Sequence, residues 1–144
     1  MAITTAICTS YKKELMTATH DHTVSTGHTF KMALYTSTAT LSAATTAYST
    51  TNEVSGTGYT AGGATMTTSA SMPTTSGTTA FTDYADVVWT TATITARGCL
   101  IYNSSASNKS VQVHNFGADK SSTAANFTVQ MPTANASNAI TRLA

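Results

Sequence analysis

Thr91-Ala92-Thr93-Ile94-Thr95-Ala96-Arg97-Gly98-Cys99-Leu100-Ile101-Tyr102-Asn103 is the stretch whose reading decides the fold. Ile94, Ala96, Gly98, Leu100 and Tyr102 alternate with Thr93, Thr95, Arg97, Cys99 and Ile101. Period-two alternation over this length is a β-strand, and the first set is apolar enough to line a core. Gly98 at mid-strand predicts a bulge or a close backbone approach.

Working outward, the same alternation recurs. Phe30, Met32 and Leu34 face one way and Lys31, Ala33 and Tyr35 the other. Further strands are expected at 64–71, 78–84, 86–90, 111–116 and 127–131, and a short one or coil at 139–143. Pro73 to Gly77 reads as a turn, as do residues 103–110. Residues 36–53 form a long polar connection. The one plausible helix is Ser10 to Met16, with Ser10 as N-cap and Tyr11, Leu15 and Ala18 on one face. Residues 1–9 read as an extended arm carrying Ile3 and Ile7. No strand alternates with a helix, so a parallel α/β sheet is excluded. The expectation is an all-β chain: an antiparallel β-sandwich or barrel, with one short N-terminal helix, an arm over 1–9 and a single domain over 10–144.

Composition supports this and narrows the function. The chain has 144 residues and a formal charge of +1. Charged residues are 9%, against about 25% in ordinary domains. Hydroxyls replace them: 33 Thr and 16 Ser. Thr is β-branched and covers the solvent face of a strand without charge. Disordered Ser/Thr-rich chains are rich in Pro and poor in large apolar residues; this one has two Pro, six Tyr, four Phe and one Trp. Near-zero charge gives no electrostatic footprint for nucleic acid. No apolar run reaches the roughly 18 residues of a membrane-spanning helix. The first residues lack a basic segment and an apolar core, so they do not read as a secretory signal. The Asn-x-Ser/Thr triplets at Asn103, Asn108, Asn126 and Asn135 are then chance matches in a hydroxyl-rich chain. Cys8 and Cys99 match no metal or redox spacing and read as buried, reduced thiols.

Four features invite a chemical reading, and each has a blander one. Gly56, Gly58, Gly62 and Gly63 lack the Lys-Ser/Thr and the following helix of a phosphate loop, so they read as a wide loop with positive φ angles. His20 and His22, with Asp21 and His28 close by, are the one metal-capable cluster; on a strand they would share a face, but a metal site needs three or four ligands, and a polar loop is the preferred reading. Trp89 reads as core rather than as a sugar platform. Arg97 is expected to pair with Asp83 or Asp86 across strands. No nucleophile elbow and no paired-carboxylate pattern is present. The residues therefore nominate no catalytic, cofactor or metal set.

Several segments resemble a family of small structural proteins of tailed bacteriophages. They are residues 30–37, 48–53, 54–63, 86–89 and 96–103, the last containing Arg97-Gly98-Cys99-Leu100-Ile101-Tyr102-Asn103; Tyr11 to Leu15 and Asn138 to Ala144 resemble the family's opening and ending. The chain is richer in Thr than that pattern, and its His20 to His28 loop has no place in it. The resemblance implies a virion component assembled in the host cytoplasm, without catalytic residues or cofactor. A capsid decoration (cement) protein is expected, bridging major capsid subunits as a homo-oligomer, with no nucleic-acid or membrane partner. Ile3, Ile7 and Tyr59 are its expected assembly contacts, with the arm pairing to a neighbouring sheet edge. A tail, neck or fibre component, or a carbohydrate-binding module, are the alternatives.

Overall fold

The computed structural model describes residues 2–144. Met1, the first residue of the expected arm, lies outside them. The elements are β1 (Ala6–Ile7), α1 (Thr9–Met16), β2 (Phe30–Tyr35), β3 (Ala64–Thr65), β4 (Thr74–Ser76), β5 (Thr79–Thr82), β6 (Val87–Asn103), β7 (Lys109–Val129) and β8 (Thr141–Leu143). They form an antiparallel five-stranded sheet, β1-β7-β6-β2-β3, and an antiparallel three-stranded sheet, β4-β5-β8. The fold is all-β with two sheets, and it is not a closed barrel.

The five-stranded sheet is the middle of three layers. Register places Phe30, Met32 and Leu34 of β2 on one face with Asn103, Ile101 and Cys99 of β6, and with Gln112 and His114 of β7. The small sheet covers this face. Thr141 donates its hydroxyl to Gln112 Oε1 (2.9 Å), and Gln112 Nε2 donates to the Ile140 carbonyl (2.8 Å). On the other face Leu100, Tyr102 and Val113 lie under the connection between β2 and β3. Tyr35 donates to the Ser49 carbonyl, Tyr102 to the Gly62 carbonyl, and the Tyr48 ring stacks on Tyr102 at 4.7 Å. Cover on both sides explains why every residue from Gly98 to Asn103 is buried.

The two longest strands replace four expected pieces. The pieces expected at 86–90 and 91–103 merge into β6, from Val87, and those at 111–116 and 127–131 merge, with the hydroxyl-rich run between them, into β7, which ends at Val129. Their ladder spans Asn103↔Lys109 to Val87↔Val129, interrupted by register shifts. The largest follows Gly98↔Asn115: the next pair is Ala96↔Lys120, so two steps on β6 match five on β7. The ribbon is therefore strongly bent. Phe116 and Phe127 are 11 residues apart in sequence, about 36 Å on a straight strand, yet their rings lie 6.5 Å apart. Gly98 sits at this bend, where a Cβ would collide with the His114 carbonyl. Thr91 (φ 50°) and Ala124 (φ 45°) are left-handed near smaller shifts.

Other expectations are corrected locally. The helix begins one residue earlier, at Thr9; Cys8 is the N-cap and makes no side-chain cap bond. Tyr11 is its one buried residue, and Ala18 is exposed. The strand expected over 64–71 shrinks to β3 plus a bridge from Thr68 to Tyr84, because residues 67–72 turn to start the second sheet. The Pro73 to Gly77 turn is mostly β4, with the reversal at Gly77. Arg97 pairs with Asp119 across the bent ribbon (2.7 Å). Asp83 instead accepts from the Ser69 hydroxyl and Asp86 from the Met131 N–H.

Candidate assembly surface

The N-terminal arm is extended, and it lies along its own chain. Ala6 pairs with Val113 and Ile7 with Gln112 on β7. Asn115 donates its amide to the Ile3 carbonyl (2.7 Å) and its backbone N–H to Thr5 Oγ1 (2.9 Å). On its other side Ile3 bridges Leu41. Ile3 is 5% exposed and lies against Gly98, where a side chain would displace it. Ile7 is half-buried against the core. Tyr59, the third expected contact, is half-buried and fully engaged: its oxygen accepts from the Leu34 N–H (2.9 Å) while its proton goes to Glu53 Oε1 (2.7 Å). These three residues thus bind the chain to itself.

Glu53 is the centre of that second cluster, and sequence reasoning passed over it. Its Oε1 also accepts from the Gly62 N–H, and its Oε2 from the Tyr48 hydroxyl, both at 2.7 Å. Burial first, and then the hydrogen bond to a carboxylate, raises the Tyr59 and Tyr48 phenols above their ordinary range. The cluster strings residues 55–63 along β6, where Thr57 pairs with Thr93. Gly63 has φ 71°, and a Cβ there would collide with the Met32 carbonyl. The glycines serve close backbone approach. The signal available in the sequence was one carboxylate flanked by Tyr48 and Tyr59 in an otherwise uncharged stretch.

The histidines at 20–28 occupy a loop, not a strand, and their ring nitrogens meet side chains of the protein: His20 and His28 share Asn103, while His22 has partners of its own. His22 lies between two phenols, with Nε2 2.7 Å from Tyr11 Oη and Nδ1 2.7 Å from Tyr84 Oη, and its ring stacks on Phe30 at 4.2 Å. His20 Nε2 meets Glu14 Oε2 at 2.7 Å. Trp89 is 6% exposed, packed between Tyr59 and Phe127, which leaves no platform for a sugar. Cys8 and Cys99 are buried free thiols. Burial pushes Cys99 up to about 12, which keeps it protonated and unreactive.

What the fold leaves open is the far half of β7. Beyond Asn115, among the described residues, no strand pairs with its outer edge. From Ser121 to Val129 this edge carries no charge and no proline, and most of its side chains are exposed. Beside it, inside the bend, a groove of about 660 Å³ is lined by Phe116, Phe127, Val129, Met131 and Ile140, with His114 and Lys120 among its polar groups.

No family model, no curated protein and no solved structure matches this chain.

Proposed function

We propose that this protein is a structural component of a bacteriophage particle, acting as a capsid decoration protein that bridges major capsid subunits. The observation that carries the reading is the open outer edge of β7 over residues 121–129. Soluble proteins usually blunt such an edge with charge, proline or a covering element. Here Lys120 stands at one end and Pro132 beyond the other, and between them are Ser, Thr, Ala, Asn, Phe, Val, Gln and Met. An edge of this kind accepts an extended segment of a neighbour by main-chain hydrogen bonding. Repeated over a shell, weak contacts reinforce one another through effective concentration. The segments resembling phage structural proteins support the same reading.

The mechanism differs from the one the arm first suggested. Residues 2–8 already fill the near half of the β7 edge, so the far half is left for the neighbour. The register shifts on either side of Ala125 bend that edge, leaving two regular stretches, Lys120 to Ser122 and Phe127 to Val129.

The test is co-sedimentation with undecorated shells, with light scattering of the free protein as reference. The wild type should pellet with shells at a fixed ratio. Ala125→Lys and Thr128→Lys, both on exposed positions, should abolish pelleting while circular dichroism and melting stay unchanged. Failure of the wild type to bind shells, or full binding by both variants, overturns the assignment.

A further inference from the structure

We propose that the loop carrying His20, His22 and His28 is an acid-released latch that holds α1 against the five-stranded sheet. Proton counting in the hydrogen-bond network carries the proposal. Asn103 Oδ1 accepts from the Ser105 and Ala106 N–H groups (3.0 and 3.1 Å), which fixes the orientation of its amide. Its Nδ2 therefore donates two hydrogen bonds, to His20 Nδ1 (3.0 Å) and to His28 Nδ1 (2.9 Å). Both Nδ1 atoms must be unprotonated to accept. His20 then keeps its one proton on Nε2 and gives it to Glu14. A second proton on either ring sets N–H against N–H at a buried amide.

His22 is constrained differently, by burial, since its phenol partners can accept as well as donate. Its neutral ring has one N–H, so one of Tyr11 and Tyr84 donates to it and the other accepts. A proton added there would be buried against Phe30 between two phenols. Burial, reinforced by the positive charge that His20 and His28 would carry, lowers His22 from 6.5 to about 4.

The groups facing the latch come from every element around it. α1 supplies Tyr11 and Glu14, and β7 supplies Lys109, whose Nζ is 2.9 Å from Glu14 Oε1. Asp21 lies in the loop itself, where bonds to Thr23 hold its carboxyl low. Tyr84 leads from the second sheet into β6, and Arg142 of β8 borders the same cavity as His20 and His22. Burial disfavours ionisation of Glu14, but bonds to His20 and Lys109 outweigh it and keep the carboxyl below its ordinary range. Glu14 is thus held ionised between Lys109 and His20, so the conflict on protonation lies at the Asn103 amide on the other side of the ring. The non-titrating Gln112–Thr141 bond holds the second sheet independently. Protonation should therefore free α1 and the loop before the sheets separate.

Hydrogen exchange resolved by segment, from pH 7.5 to 4.5 and corrected for intrinsic rates, reads this directly. A group lowered in the folded state binds its proton on opening, so stability is lost as pH falls below about 6.5 toward about 4. The opening constant of residues 9–28 should rise about tenfold per pH unit for each proton taken up, reversibly, while residues 98–103 and 110–113 stay protected. Unchanged protection of 9–28, or simultaneous opening of both regions, overturns the latch. His20→Gln and His28→Gln keep an acceptor for Asn103 without a titrating proton. Each should move the opening to lower pH; an unmoved opening overturns the assignment, and the wild-type profile decides alone if a variant fails to fold.

Discussion

The near and far halves of the β6–β7 ribbon share the same two strands, joined across a register shift, yet they are different kinds of structure. In the near half, Gly98 to Asn103, β6 is buried on both faces, so apolar residues sit at odd and even positions alike. In the far half Val87, Trp89, Ala92, Ile94 and Ala96 point inward while Val88, Thr90, Thr93 and Thr95 face out. The opposing strand repeats the contrast: Ser110 to Val113 are buried, while exposed positions dominate beyond Asn115. Backbone hydrogen bonds make both halves strand. Layers above and below make only one of them core.

The comparison is broken most decisively by truncation. Leu100→Ala in the near half should lose about 3 kcal/mol, because the residue is fully buried between layers. Val88→Ala, at 41% exposure in the far half, should lose less than about 0.5 kcal/mol. Urea unfolding of the two variants measures both, and similar losses would show that the halves form one core. Glu53→Gln sharpens the contrast next. Replacing a carboxylate that accepts three hydrogen bonds should cost about 2 kcal/mol. Exchange of the Thr93 amide, which donates to Thr57, should accelerate while Leu100 stays protected. The smallest effect is a gain. Ala124→Gly relieves a left-handed alanine at a ribbon shift; strain of about 1 kcal/mol against the greater chain entropy of glycine leaves about 0.5 kcal/mol of added stability. A loss in thermal melts would show that Ala124 is unstrained.

Much of the strand content was legible because alternation reports burial directly. Residues 30–35 and 94–102 were legible as strand with one core face, and Gly98 announced the close approach that the structure shows, but the burial of the second face at Ala33, Tyr35, Cys99 and Ile101 was not legible. The run from Gly117 to Asn126 was not legible as strand. Its small polar residues have no buried face to alternate against, so only pairing with β6 makes it extended. The partners of Arg97 were misassigned for a related reason: the bend at Ala96/Gly98 brings Asp119 across, and a three-residue excess on β7 cannot be seen in either strand alone. The candidate site was less legible still. Ile3, Ile7 and Tyr59 are expected contacts for a neighbour, and the structure engages each of them within the chain. Their partners, Leu41, Gln112 and Leu34, lie far away in sequence. The histidine loop looked solvated by its composition, and only Asn103, 75 or more residues downstream, turns its rings inward.

By itself the sequence determined that this chain would be β, low in charge and rich in hydroxyls, since side-chain period and composition act within a few residues. Tertiary structure alone decided the rest. It set which edge of the sheet is filled by the arm and which is open, which carboxylate gathers the tyrosines, and which two imidazoles face one amide. Those outcomes depend on register shifts and on layers closing over a sheet, and both join residues that have no local reason to know of each other.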